Sequence, residues 1–291
     1  MLTDAQEWKM SNRTPAMTQG SVHVWFARLD HPDAVMQRLA ENISSDEYKR
    51  AMRFRFPQGR NRYMVARALL REVLAGYLGS EPRALSFQYG RYGKPTLAGT
   101  FAESEIRFNV SHSCGGALVG VAQGREIGVD LEFIRPLSDL RDLAESCFSI
   151  AEKAALEALP EHERLRGFFD GWTRKEAYLK ATGKGLSFSL QSFEVSLAPG
   201  PGRRALMLPD GSKNEPALTL VSLAPRADYS AAVVVDGCDC HLTCAEWPVD
   251  AVPHRPPVQT ILCRTSGERK FSLSVESEEG GVLGQLRMGV K

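Results

Sequence analysis

From Glu126 to Ile134 the side chains alternate without a break. Ile127, Val129, Leu131 and Phe133 point one way, and Gly128, Asp130 and Glu132 point the other. A period of two is the mark of a β-strand, and this one has an apolar face and an acidic face. Such a segment demands a sheet whose apolar side is covered, which constrains the fold more tightly than any other stretch. About forty residues on, Trp172-Thr173-Arg174-Lys175-Glu176-Ala177-Tyr178-Leu179-Lys180 follows a helical period and closes with Gly183-Lys184-Gly185-Leu186. On that helix Phe169, Thr173, Glu176 and Lys180 share one stripe, while Phe168, Trp172 and Leu179 form an apolar one.

Elements of both kinds recur along the chain. Val22, Val24 and Phe26 alternate as a strand, residues 33–56 read as helical and then irregular, and Asn61 to Leu78 is an amphipathic helix stopped by Gly79. Phe87 and Tyr89 lead into the turn Tyr92-Gly93-Lys94-Pro95. Strands follow at Ile106–Val110 and Ala117–Ala122, with the turn Ser111-His112-Ser113-Cys114-Gly115-Gly116 between them. After the acidic strand, broken at Arg135-Pro136, helices are expected over 140–159 and 164–182. Further strands are expected near 193–197, 217–223 and 229–235. The expected organisation is a polar leader (1–20), a lobe over 21–125, a second over 126–247, and a proline-rich linker and tail over 248–291. The tail's periodic apolar pattern is confined to Phe271, Leu273 and Val275. The fold class is α+β, two similar α/β lobes meeting near residue 125.

Each chemically suggestive feature has two readings. Asp130 and Glu132 suit the wet face of any strand, or a hard cation such as Mg²⁺ held together with phosphate oxygens and water. Gly128 leaves room beside them for a close approach. Glu176 and Lys180 are either a surface i, i+4 pair or a carboxylate and cation in a site. Eight basic residues and no acid lie from Lys49 to Arg71. Interleaved with Phe54 and Phe56, they suit nucleic acid, a phosphorylated small molecule or plain solvation. His112, between hydroxyls and glycines, suits either a structural role or an anion-binding turn. Cys238, Cys240, His241 and Cys244 lack the paired C-x-x-C spacing of structural zinc sites.

Bulk properties narrow the choice. A hydrophobic fraction of 43% fits a globular chain, and a net charge of +1 offers no overall attraction to nucleic acid or membrane. The first twenty residues lack the apolar core of a secretory signal, no run is long enough to span a bilayer, and the six cysteines are sparse. A cytoplasmic location with free thiols is the expectation.

Taken in order, Tyr92-Gly93-Lys94-Pro95, Phe108-Asn109-Val110-Ser111-His112-Ser113, Gly128-Val129-Asp130-Leu131-Glu132 and Trp172 to Leu186 resemble the motifs of the 4′-phosphopantetheinyl transferase family. The likeness is to its monomeric, two-lobed, surfactin-synthetase-activating type and covers about residues 20–247. The resemblance implies two lobes related by a pseudo-twofold. It also implies Mg²⁺-dependent transfer of the phosphopantetheine arm of coenzyme A to a serine of an apo acyl or peptidyl carrier protein, releasing adenosine 3′,5′-bisphosphate. By the same resemblance Asp130, Glu132 and Glu176 bind Mg²⁺, with Mn²⁺ an alternative. Glu176 is the base, directly or through water, and Lys180 stabilises charge on the pyrophosphate or leaving group. His112 and neighbouring Ser111 meet the coenzyme's phosphates, Lys94-Pro95 lines the adenine, and Arg62 holds the 3′-phosphate with Lys49 and Arg53 as further partners. Leu131 supplies no ligand, so water or the third carboxylate completes the shell. The family implies no nucleic-acid or membrane partner. A module that binds coenzyme A or carrier without chemistry is the alternative.

Overall fold

The computed structural model describes residues 8–185, 188–204, 206–207, 217–238 and 240–249, and the strands 261–266, 270–276 and 282–288. Residues up to Val252 and from Pro253 onward form two separate units. In the first unit the order is β1 (Lys9–Met10), β2 (Ser21–Arg28), α1 (Asp33–Ala40), α2 (Ser45–Ala51), α3 (Pro57–Leu78), β3 (Ser86–Tyr89), β4 (Pro95–Ala98), β5 (Ile106–Ser113), β6 (Gly116–Gln123) and β7 (Ile127–Phe133). There follow α4 (Leu140–Cys147), α5 (Ile150–Ala158), α6 (Glu161–Thr182), β8 (Glu194–Val195), β9 (Gly202–Arg204), β10 (Leu206–Met207), β11 (Leu218–Leu223), β12 (Tyr229–Asp236) and β13 (His241–Glu246). The second unit is an antiparallel sheet of β14 (Ile261–Ser266), β15 (Lys270–Glu276) and β16 (Val282–Met288) in that order. The proline-rich stretch 250–260 lies outside the described residues.

Two sheets carry the first unit, β1-β13-β2-β6-β5 and β7-β12-β11-β9. Strand alternation gives each sheet two apolar faces. Trp25, Ala27, Val119 and Val121 pack against the long helix α3, while Val22, Val24, Phe26 and Leu118 turn the other way. That second face meets Val129, Leu131, Val233 and Val235 of the other sheet, whose far side, through Ala232, Val234 and Leu220, packs against α6. The layers therefore run helix, sheet, sheet, helix, with β5 and β7 at facing edges. The fold is α+β as expected, with one 22-residue helix, α3 or α6, on each of the two sheets.

Several segment boundaries differ from the sequence reading, for local reasons. The helical stretch from 33 is two helices, because Ser44 and Glu47 form a capping box that starts α2 afresh. The helix expected over 140–159 breaks at Phe148, where Ser149 and Glu152 cap α5 in the same way. Pro57 opens α3 four residues earlier than its apolar period suggested. Strand β13, for which the sequence reading has no strand and which falls within the 126–247 span, runs parallel to β2 in the first sheet and pairs on its other side with β1 of the polar leader. Trp247 then packs edge-on to Trp25, with 5.2 Å between ring centroids, and its indole N–H donates to Glu72. Among the described residues no helix is long and apolar enough to cross a membrane.

Candidate active site

The site begins at Gly128. A Cβ there would lie 2.2 Å from both the Ala177 carbonyl oxygen and the Ala181 nitrogen, so β7 lies directly on the backbone of α6. Only glycine permits that approach. It brings the acidic face of β7 beside the Glu176–Lys180 stripe of α6. Asp130 Oδ1 accepts hydrogen bonds from Lys180 Nζ at 2.6 Å and from Ser111 Oγ at 2.9 Å, and Lys180 also donates to Ser111 Oγ at 3.0 Å.

Strand β5 supplies the opposite wall. Its alternate residues Asn109, Ser111 and Ser113 face β7, and each makes a bond across the gap between the sheet edges. Asn109 Oδ1 accepts from the Val129 N–H, and Ser113 Oγ accepts from the Phe133 N–H and donates to Glu132 at 2.7 Å. The intervening His112 points the other way and lines a cleft of about 720 Å³. Other walls come from Arg50, Tyr63 and Arg67, from the turn between β3 and β4 including Lys94 and Pro95, and from Glu176, Lys180, Gly183 and Gly185.

Electrostatics single out the carboxylates. Burial, then the negative charges of Asp130 and Glu132, raise the Glu176 pKa above the usual glutamate value, with Lys180 opposing. Glu132 is also raised, first by burial, against the Ser113 hydrogen bond. His112 is exposed to the cleft, yet partial loss of solvent and the nearby Lys180 ammonium lower its pKa, so the imidazole is neutral near pH 7. Asp130 Oδ2 and Glu176 Oε1 are buried without a hydrogen-bond partner. Among the described residues no three His, Cys, Asp or Glu side chains close into a metal cage. Two orphaned carboxylate oxygens beside a third carboxylate nevertheless fit a hard cation that takes its remaining ligands from water and substrate.

The predicted residues fall into three groups. Lys94, Pro95, His112, Glu176 and Lys180 line the cleft, and Ser111 and Asp130 join it through their bonds to Lys180; Glu132, bonded to Ser113, lies outside the lining but feels the charges of Asp130 and Lys180. Lys94 Nζ is held by Glu126 at 2.8 Å and by the Ile127 carbonyl, tying the β3–β4 turn to β7. Arg62, Lys49 and Arg53 lie outside the cleft lining. Arg62 makes two bonds to Asp30, of 2.7 and 2.6 Å, while Lys49 is exposed and 3.6 Å from Asp46. Arg50 and Arg67 stand in the wall instead, and Arg67 is set by Glu47 at 2.7 Å and by the Tyr89 hydroxyl. Both belong to the basic arm, but only its winding into α2 and α3 separates cleft-facing arginines from the rest. Lys175 is fully buried away from Glu176, on Glu152 at 2.7 Å and the Leu190 and Phe193 carbonyls.

Two family models match this chain. One, described as the 4′-phosphopantetheinyl transferase superfamily, covers residues 126–234; the other, described as 4′-phosphopantetheinyl transferase, N-terminal, covers 31–125. The 4′-phosphopantetheinyl transferase HetI of Nostoc sp. is 44% identical over 216 residues, covering 74% of this chain and 88% of that protein. A 4′-phosphopantetheinyl transferase of Bacillus subtilis is 32% identical over 174 residues, covering 60% and 75%. The B. subtilis strain 168 transferase Sfp is 30% identical over 174 residues, also covering 60% and 75%.

Proposed function

Because this chain belongs to the 4′-phosphopantetheinyl transferase superfamily, we propose that it moves the phosphopantetheine arm of coenzyme A onto a serine hydroxyl of an apo acyl or peptidyl carrier protein. The observation that carries this reading is the pair of unpartnered carboxylate oxygens on Asp130 and Glu176, set beside Lys180 and His112 in a cleft also walled by arginines. In the reaction the serine oxygen attacks the phosphorus bearing the pantetheine arm. The bond from that phosphorus to the bridging oxygen breaks, and adenosine 3′,5′-bisphosphate leaves.

Glu176 takes the serine proton, directly or through a water. Lys180 and neutral His112 donate hydrogen bonds to phosphate oxygens as charge shifts toward the leaving group. Arg50 and Arg67 offer guanidinium donors to the coenzyme's other phosphate, and the Lys94-Pro95 turn shapes the adenine end. Arg62, Lys49 and Arg53 remain proposed phosphate partners, for which Arg62 must exchange Asp30. Asp130, Glu132 and Glu176 would hold Mg²⁺, or Mn²⁺, which when bound neutralises the pyrophosphate. The lobes 21–125 and 126–247 act together as a cytoplasmic monomer, and the linker and tail over 248–291 are assigned no role.

The test is to incubate the chain with coenzyme A, Mg²⁺ and several apo carriers and to weigh the carriers. A gain of one phosphopantetheine is expected. Coenzyme binding without any such gain would replace this reading with that of a binding module.

A further inference from the structure

The transfer chemistry leaves the exposed apolar side chains around the α2–α3 junction unexplained. Four large apolar side chains stand in solvent there: Tyr48 is 47% exposed, Met52 43%, Phe54 42% and Phe56 66%. They alternate with Lys49, Arg50, Arg53 and Arg55, and no carboxylate occurs from Lys49 to Arg71. This is no frayed end: α2 begins in a closed capping box, Pro57 opens α3, and the Phe54 ring packs 5.3 Å from that of Tyr63. An apolar cluster kept in water on well-formed elements marks an interaction surface. The patch is continuous with the cleft, because Arg50 and Tyr63 line both.

We infer that this Tyr48–Phe56 surface is a docking site for the carrier protein, receiving an acidic face with an apolar side chain at its centre. The inference rests on the transferase reading above. Exposed aromatics and methionine ringed by arginine are the composition of energetic protein interfaces. Arg55, which has no part in phosphate binding, and the cations around it favour an acidic complement, which also speeds encounter. Nucleic acid is the poorer fit, because base stacking needs open ring faces. Here the Arg55 guanidinium lies 5.3 Å from the centre of Phe56, and that of Arg50 lies 5.9 Å from Tyr63.

The experiment uses the full chain and the variants Phe56→Ser and Arg55→Glu, at positions without an assigned role in coenzyme or cation binding. Phe56 is the residue before the first turn of α3, where serine is a favourable cap, so folding should survive. Should Arg55→Glu lose a cooperative melt, Met52→Gln takes its place. Steady-state rates are measured with apo carrier varied at saturating coenzyme A, and again with the coenzyme varied. Each variant should raise the carrier KM about tenfold, leaving kcat and the coenzyme KM unchanged. An unchanged carrier KM, or an equal rise in the coenzyme KM, would overturn the docking site. Loss of oligonucleotide binding with an unaltered carrier KM would overturn it too. If the unaltered chain modifies no carrier, the transferase reading fails by itself. Direct titration of apo carrier then decides docking: binding lost in Phe56→Ser supports it, and equal or absent binding in both chains refutes it.

Discussion

Glu176 is costly to the fold and useful to the chemistry for one reason: its charged form is poorly solvated and faces two other carboxylates. A raised carboxylate pKa means that the folded state binds more protons than the unfolded chain between the ordinary and the raised value. Stability is therefore lost as pH rises through that window, and the deficit persists at neutrality. Glu176→Gln removes the charge at nearly constant shape. It should raise the melting temperature by roughly 2–5 °C while abolishing carrier modification, read by calorimetry and by carrier mass. Loss of activity with a lowered melting temperature would contradict this account of the residue. The raised value belongs to the metal-free site: adding Mg²⁺ should bring the Glu176 midpoint down, checked by titrating the protein with and without Mg²⁺. His112 behaves oppositely: its lowered pKa means that protonation below about pH 6.5 favours the unfolded chain, so stability falls as pH drops through that region. Residue identities at 112, 130, 132 and 176 were readable as candidates, because carboxylates two apart on a strand and a glutamate on a helix are patterns within a segment. That Lys180 would pair with Asp130 was not readable, since fifty residues separate them and only packing joins them.

At the scale of elements, β7 depends on both neighbours. Against α6 it needs Gly128. Gly128→Ala should separate the strand from the helix, cost about 2–4 kcal/mol and lower kcat by more than tenfold, measured by urea unfolding and initial rates. An alanine variant with wild-type stability would show that the close approach is dispensable. Against β5 the strand needs Asn109, Ser111 and Ser113, whose side chains bridge two sheet edges that share no ladder. Asn109→Ala leaves the Val129 N–H unpaired in a buried setting and should cost about 1–3 kcal/mol by the same unfolding measurement. The Asn-Val-Ser-His-Ser run was visible in the sequence as a hydroxyl-rich turn preceded by a strand. Its polar alternation, a signal of period two like that of β7, identifies the face that bridges and the face that carries His112. Helix breaks at Ser44 and Ser149 were also legible in principle as Ser-x-x-Glu boxes, yet the surrounding apolar period masks them.

For the whole molecule, the decisive feature is the return of β13 to the first sheet. Trp247 is buried between Trp25 and Glu72, and Arg38 reaches the Val249 carbonyl, so the end of the second lobe fastens the first. Trp247→Ala should cost about 3–5 kcal/mol and lower the melting temperature of the entire first unit in one transition, followed by calorimetry. Two separated transitions would show that the lobes fold independently. By itself the sequence determined the kinds of element, the acidic strand and its partner helix, the motif order and hence the family, because each rests on periodicity or spacing within short segments. Tertiary structure alone decided which arginines face the cleft, why Gly128 must lack a side chain, where Lys175 and Lys180 find their partners, and which sheet receives β13. Those outcomes depend on contacts between residues far apart in the chain, whose geometry exists only once the two sheets and their helices have packed.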